Sequence, residues 1–182
     1  MQMNLKKLLE IKKKLKKLLT DKNTQDIVLF GSFVKGKVEP KDIDIAIILN
    51  KKEFDLNKEN SNLQGFHVSF LDFEDFFKPT SLIRTLFREG YSLKNNKYFS
   101  EVYGFKNRCL FRYELTGLTS SEKVITVNFL RGKNKEKGLV LDKQGEWISN
   151  QVFLCPVIFD SIFERFFLNK KIKFKKFYCL ID

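Results

Sequence analysis

Apolar and polar positions follow two different periods along the chain. Over residues 4–22, NLKKLLEIKKKLKKLLTDK, Leu5, Leu8, Leu9, Ile11, Leu15, Leu18 and Leu19 recur mostly at three- and four-residue steps. That spacing predicts an amphipathic helix whose outer face is covered by lysine. DIVLF (26–30) and IDIAIIL (43–49) are near-continuous β-branched or apolar runs and predict buried strands; GFHVSFLDF (65–73) predicts a third. A polar loop, NKKEFDLNKENSN (50–62), separates the second from the third. TSLIRTLFREGYSL (80–93) follows Pro79 with a Thr/Ser cap and ends at Gly90, so it reads as a helix. The polar stretch KNNKYFSE (94–101) is then the candidate boundary, dividing the chain into domains 1–96 and 97–182.

The second half has a different texture. NRCLFRYEL (107–115) reads as a strand. TSSEKVITVNFLRG (119–132) carries a capping box, Thr119 with Glu122, and a closing Gly132, which favour helix; its VITV centre favours strand, and helix is the expectation. A basic loop, RGKNKEKG (131–138), follows. VFLCPVI (152–158), DSIFERFFLNK (160–170) and IKFKKFYCLI (172–181) read as strand, helix and strand, a small α+β unit with no internal repeat. Phe163, Phe166 and Phe167 have helical spacing and read as core. Trp147 and these phenylalanines are also the residues that could stack on bases.

Composition adds limits. The chain has 182 residues, 43% of them hydrophobic, with 20 Phe, enough to build a core. A net charge of +12 points to polyanionic company, although lysine-rich coding alone accounts for it as well. In the N-terminal segment eight lysines (6, 7, 12, 13, 14, 16, 17 and 22) face only Glu10 and Asp21. They make either a polyphosphate- or membrane-facing helix or a solvated face, and the apolar stripe behind them favours the latter. Cys109, Cys155 and Cys179 lie far apart and His67 is the single histidine, which argues against a zinc site or a disulfide framework and for a reducing cytoplasm. No apolar run approaches the roughly 18 residues of a membrane span, and no secretion signal is evident.

The chemistry is concentrated in GSFVKGKVEPKDIDIAII (31–48). Phosphoryl transfer needs backbone N–H groups close to a polyphosphate, which calls for Gly and a small hydroxyl residue after a strand. It also needs carboxylates that converge on Mg²⁺ from rigid supports. Asp42 and Asp44, at i and i+2 on a strand, point to one face while Ile43 and Ile45 point to the other. Gly31-Ser32 would begin a short helix near the same pocket.

An apolar strand, Gly-Ser, about ten residues and then Asp-apolar-Asp-apolar resembles the polymerase-β-type nucleotidyltransferases, the small minimal nucleotidyltransferases most of all. Gly36 matches the second glycine of that pattern. LFREGYSL (86–93) resembles the segment that often closes the minimal domain, and the likeness spans roughly residues 8–93. It implies an α+β fold, a nucleotidyltransferase-type mixed sheet flanked by helices, followed here by a small basic α+β domain. It further implies a nucleoside triphosphate, ATP above all, held by Gly31, Ser32 and Lys35, and Mg²⁺ held by Asp42 and Asp44. The reaction would be transfer of NMP to a hydroxyl of RNA or protein.

One departure stands out. The family's third carboxylate comes from the third strand, and VSFLDFED (68–75) places Ser69 there. A serine hydroxyl cannot act as a general base or offset metal charge as a carboxylate does. Asp72 has the opposite strand parity, and Glu74 and Asp75 lie beyond the strand. His67 shares the parity of Ser69; a lone histidine there is ordinarily just hydrogen-bonded, but it could serve as a base. The alternative to an enzyme is therefore a degenerate nucleotidyltransferase fold kept as an RNA- or ribonucleoprotein-binding module.

Overall fold

The computed structural model describes residues 4–36, 42–50, 63–78, 80–134 and 136–182. Most of the expected polar loop (residues 51–62), the stretch 37–41 before the acid pair, Pro79 and Lys135 of the basic loop lie outside the described residues. The chain divides into two compact units, Met1–Lys106 and Asn107–Ile181.

The first unit opens with α1 (Leu5–Lys14) and α2 (Lys16–Leu19). The expected single helix is broken at Leu15, whose ψ of 6° departs from helical values, although its N–H still donates to the Ile11 carbonyl at 2.9 Å. Leu15 is nonetheless fully buried, so the apolar stripe of Leu8, Ile11, Leu15 and Leu18 continues across the break. Asn4 caps α1 by accepting from the Lys7 N–H at 3.2 Å. Leu5 and Leu9 fall off the buried stripe and remain exposed.

Strands β1 (Thr24–Phe30), β2 (Ile43–Leu49) and β3 (Phe66–Leu71) are followed by a 3₁₀ turn at Glu74–Phe77 and helix α3 (Ser81–Glu89). The Thr80 hydroxyl caps α3 at the Ile83 N–H. Next come β4 (Tyr91–Ser92), β5 (Lys97–Tyr98) and α4 (Phe99–Val102). The sheet order is β3-β2-β1-β4-β5. β2 pairs with β1 antiparallel and with β3 parallel, so the sheet is mixed.

Because side chains alternate along each strand, the sheet has two apolar faces. Ile27, Leu29, Ile45, Ile47 and Leu49 pack beneath α1 and α2. Val28, Ala46, Ile48 and Leu71 pack against Ile83 and Leu86 of α3 and Phe99 of α4. Helix α3 ends at Glu89 with Gly90 as its cap, where the sequence places the stop. Gly90 has no room for a side chain, since a Cβ would overlap the Leu86 carbonyl and lie 2.7 Å from Val28 Cγ1.

The boundary expected between 96 and 97 is not where the first unit ends. Lys97 and Tyr98 pair with Ser92 and Tyr91 in the first sheet, and Phe99 is buried in its core. Residues 93–96, LKNN, are the turn of a hairpin, and the unit continues to Lys106.

That hairpin is tied to β1 by Asp26, a buried carboxylate. It accepts from Ser92 Oγ at 2.6 Å, Asn95 Nδ2 at 3.2 Å and the Lys94 N–H at 3.3 Å.

The second unit comprises β6 (Lys106–Glu114), α5 (Ser120–Arg131), α6 (Leu139–Asp142), β7 (Glu146–Ser149), β8 (Val152–Pro156), α7 (Asp160–Asn169) and β9 (Lys173–Ile181), with sheet order β7-β8-β6-β9. The capping box decides α5 for helix: the Thr119 N–H donates to Glu122 Oε2 at 2.8 Å. Strand β7 and helix α6, four residues each, are too short to show periodicity in the sequence. The core is aromatic, with Phe111, Tyr113, Phe153, Phe163 and Phe167 fully buried. Cys109 and Cys155 face each other across β6 and β8, and burial pushes the Cys109 thiol up to about 12, so it stays protonated and unreactive. No helix among the described residues is long and apolar enough to cross a membrane.

Asp26 supplies a pH-dependent prediction. Burial pushes its carboxyl above the ordinary aspartate range, and the bonds from Ser92, Lys94, Ile27 and Asn95 offset that only in part. The folded protein therefore binds this proton more tightly than the unfolded chain. Its stabilising effect is complete below the unfolded value and is lost as pH rises through the folded one. Asp26→Asn removes the titration. The stability of the wild type relative to Asp26→Asn, from urea unfolding, should fall as pH is raised from about 4 toward 7.

Candidate functional site

The site lies where β1 ends and β2 begins. The pairing of β1 with β2 runs to Phe30 opposite Asp44, so Gly31 emerges directly beside the second aspartate. Gly31 has φ of +72°, a left-handed conformation that favours glycine, and a Cβ there would overlap Asp44 Oδ2. The carboxylate thus occupies the space of a missing side chain.

Residues 31–36 form a run of turns rather than the short helix expected after Gly31-Ser32. The Lys35 N–H donates to the Gly31 carbonyl at 3.3 Å, and the Gly36 N–H to the Phe33 carbonyl at 3.0 Å. Gly36 is again left-handed, with φ of +81°. Phe33 and Val34 are buried in the α1–α2 core and anchor the turn. Ser32 is half-buried beside Gly31.

Asp42 is exposed just before β2, and Asp44 is the second residue of the strand. Ile43 and Ile45 contribute to the α1–α2 core, so Asp44 lies on the other side, as the alternation requires, with Asp42 immediately ahead of the strand. On β3 the parallel register sets His67 beside Asp44 and Ser69 beside Ala46. His67 Nδ1 is 3.0 Å from Asp44 Oδ1. Ser69, expected to meet the aspartates, stands one pleat further along the same face, while the residue that touches Asp44 is His67. Its parity was visible in the sequence; the register that selects it was not.

Lys35 is engaged within the protein. Its Nζ lies 3.1 Å from Glu89 Oε2, and the same oxygen is 3.3 Å from Arg88 Nη2. Glu89 is buried at the end of α3, so the Arg88-Glu89-Gly90 segment is bound to the glycine turn by an ion pair. Sequence reasoning missed this contact, because only the fold brings residues 35 and 89 together. Asp72 and Asp75 serve local structure: each backbone N–H donates to the other's carboxylate, at 3.1 and 3.0 Å.

Among the described residues no three His, Cys, Asp or Glu side chains converge as a metal cage. Two carboxylates and an adjacent glycine turn are still a donor set suited to Mg²⁺, which commonly binds one or two carboxylates and completes its shell with water and substrate phosphates.

The base-stacking candidates in the second unit are structural. Trp147 packs edge-on to Phe153, with the Arg131 guanidinium 3.9 Å from its ring centre. Phe166 stacks on Phe129 at 4.7 Å. On β9, Lys173 and Lys175 are exposed, whereas Lys176 turns inward to Glu164 at 2.7 Å and Asp160 at 3.3 Å. Burial alone would lower the Lys176 ammonium, but these partners outweigh it and hold it above the ordinary lysine range.

A mixed sheet between helices, with a glycine turn against an Asp-x-Asp strand, is the architecture of a nucleotidyltransferase domain. Residues 13–99 match the family model described as polymerase beta, nucleotidyltransferase, and this part of the chain is a domain of the polymerase-β-type nucleotidyltransferase superfamily. No curated protein matches the chain.

Gly104 provides a control for the Gly31 contact. It too is left-handed, with φ of +84°, but a Cβ there would meet nothing within 4 Å. Both Gly104→Ala and Gly31→Ala should pay backbone strain of roughly 1–2 kcal/mol. Only Gly31→Ala must also displace the Asp44 carboxylate, so it should lose more stability in urea unfolding. Equal losses would show that the carboxylate yields without cost.

Proposed function

We propose that the first unit binds a nucleoside triphosphate with Mg²⁺ and transfers NMP to a hydroxyl of an RNA or protein acceptor. The observation that carries this reading is the Asp44 carboxylate seated against Gly31, with the exposed Asp42 two residues earlier in the chain. Asp42 and Asp44 would hold the cation. Bound Mg²⁺ would draw charge from the phosphates and make the attacking hydroxyl more acidic. Gly31 and Ser32 would present backbone N–H groups to phosphate oxygens, at a turn where no side chain blocks close approach. Lys35 would reach a phosphate only by leaving Glu89, so its part is to brace the turn.

Incubation with Mg²⁺ and each labelled triphosphate, against RNA and protein acceptors, is the direct experiment. Wild type should transfer label. Asp42→Asn and Asp44→Asn should each lose at least about 100-fold, more than the roughly 10–100-fold that loss of a ligand's supporting partner costs.

A second reading rests on Ser69, which stands beside Ala46 where the family resemblance calls for a carboxylate. On that reading the fold is a binding module for RNA, drawn by the chain's charge of +12. No transfer by wild type alongside transfer by Ser69→Asp would favour it. So would RNA affinity that falls steeply with salt and is indifferent to Asp44→Ala.

A further inference from the structure

His67 owes its position to strand register. β3 runs parallel to β2 with Asp44 directly beside His67, and the imidazole Nδ1 lies 3.0 Å from Asp44 Oδ1. The other carboxylate oxygen, Oδ2, fills the place that a Gly31 Cβ would take. Asp44 is therefore met by imidazole at Oδ1, while Oδ2 fills the space that the absent Gly31 side chain leaves. An ionised carboxylate only accepts hydrogen bonds, so Nδ1 carries the proton and donates it. The His67 side chain is 73% exposed, against 29% for Asp44, so packing is a poor account of why an imidazole stands there.

We infer that His67 is a positioning residue of the cation site: its Nδ1–H fixes the rotation of the Asp44 carboxylate so that the remaining lone pairs converge with Asp42 on the metal. The inference rests on the reading of the site as a nucleotide–Mg²⁺ site. It assigns the third strand a contribution other than the one sought at Ser69, through a hydrogen bond to a ligand in place of a third ligand. Partners that orient metal-binding carboxylates and imidazoles typically matter by one to two orders of magnitude in affinity.

The experiment is Mn²⁺ titration by electron paramagnetic resonance, without nucleotide and with ATP, on wild type, His67→Leu, His67→Asn and Asp44→Asn. Thermal unfolding is followed in parallel. His67→Leu should weaken Mn²⁺ binding roughly 10-fold with an unmoved melting temperature. His67→Asn, whose amide N–H can stand near the place of Nδ1–H, should recover most of that loss. Unchanged binding in His67→Leu would overturn the inference. So would tighter binding, which would mean that the imidazole competes with the cation for Oδ1. Failure of His67→Asn to recover affinity would also overturn it, because the role would not lie in the hydrogen bond. Loss of Mn²⁺ by Asp44→Asn with none by His67→Leu would leave the nucleotide reading standing and remove His67 alone. A wild type that takes up no Mn²⁺, with or without ATP, would remove both.

Discussion

The antiparallel pairing of β1 with β2 ends with Phe30 opposite Asp44, and from that register follows the packing of Gly31 against the Asp44 carboxylate. Side chains alternate along a strand, so a slip of one residue would carry Asp44 into the layer now filled by Ile43, Ile45 and Ile47. The aliphatic residues between the acids therefore place them. Burial of Ile45 and Ile47 beneath α1 and α2 holds the Asp44 carboxylate on the opposite face. There the apolar cover of α3 and α4 packs on Ala46 and Ile48, further along β2, leaving the Asp44 end accessible.

The same register explains why the end of α3 belongs with the glycine turn. Gly90 lets the chain pass within contact distance of Val28 on β1, and Glu89, one residue before, is buried where it meets Lys35. A buried carboxylate needs a partner, and Lys35 and Arg88 supply it. One close backbone approach thus fixes both the end of a helix and the position of the turn that borders Asp44. Lys35 stabilises the frame of the site through this pair, which competes directly with any phosphate for the same ammonium.

The parts of this arrangement that were legible in the sequence are those that depend on one segment at a time. β1 and β2 could be read from unbroken β-branched runs, α3 from its Thr80 cap and Gly90, and α5 from the Thr119–Glu122 box against a strand-like centre. Asp42 and Asp44 could be assigned a common face from spacing alone. What depends on pairing was hidden. The two-residue strands β4 and β5 have no periodicity, so their hairpin looked like a linker. The break at Leu15 does not interrupt the apolar stripe and left no mark in the pattern. The motif likeness points to Ser69, but which β3 residue meets Asp44 is decided by how β3 docks on β2.

Binding and turnover place different demands on such a site. Binding needs donors and charge: two carboxylates that hold a divalent cation, and a turn with no side chain in the way. On the proposed reading, Asp42, Asp44 and Gly31 would meet those demands, whatever stands on the third strand. Turnover also needs a path for the proton of the attacking hydroxyl, and a third carboxylate would shorten that path while adding negative charge next to a polyphosphate. An imidazole at His67 adds no negative charge. Its bond to Asp44, if the proposed site holds a cation, would bring the ligand to the bound state already oriented, with less rotational entropy to lose. On the proposed reading, a site of this composition would favour ordered capture of a nucleotide–metal complex, and the rate of transfer would be limited by how readily water or the acceptor itself gives up the proton.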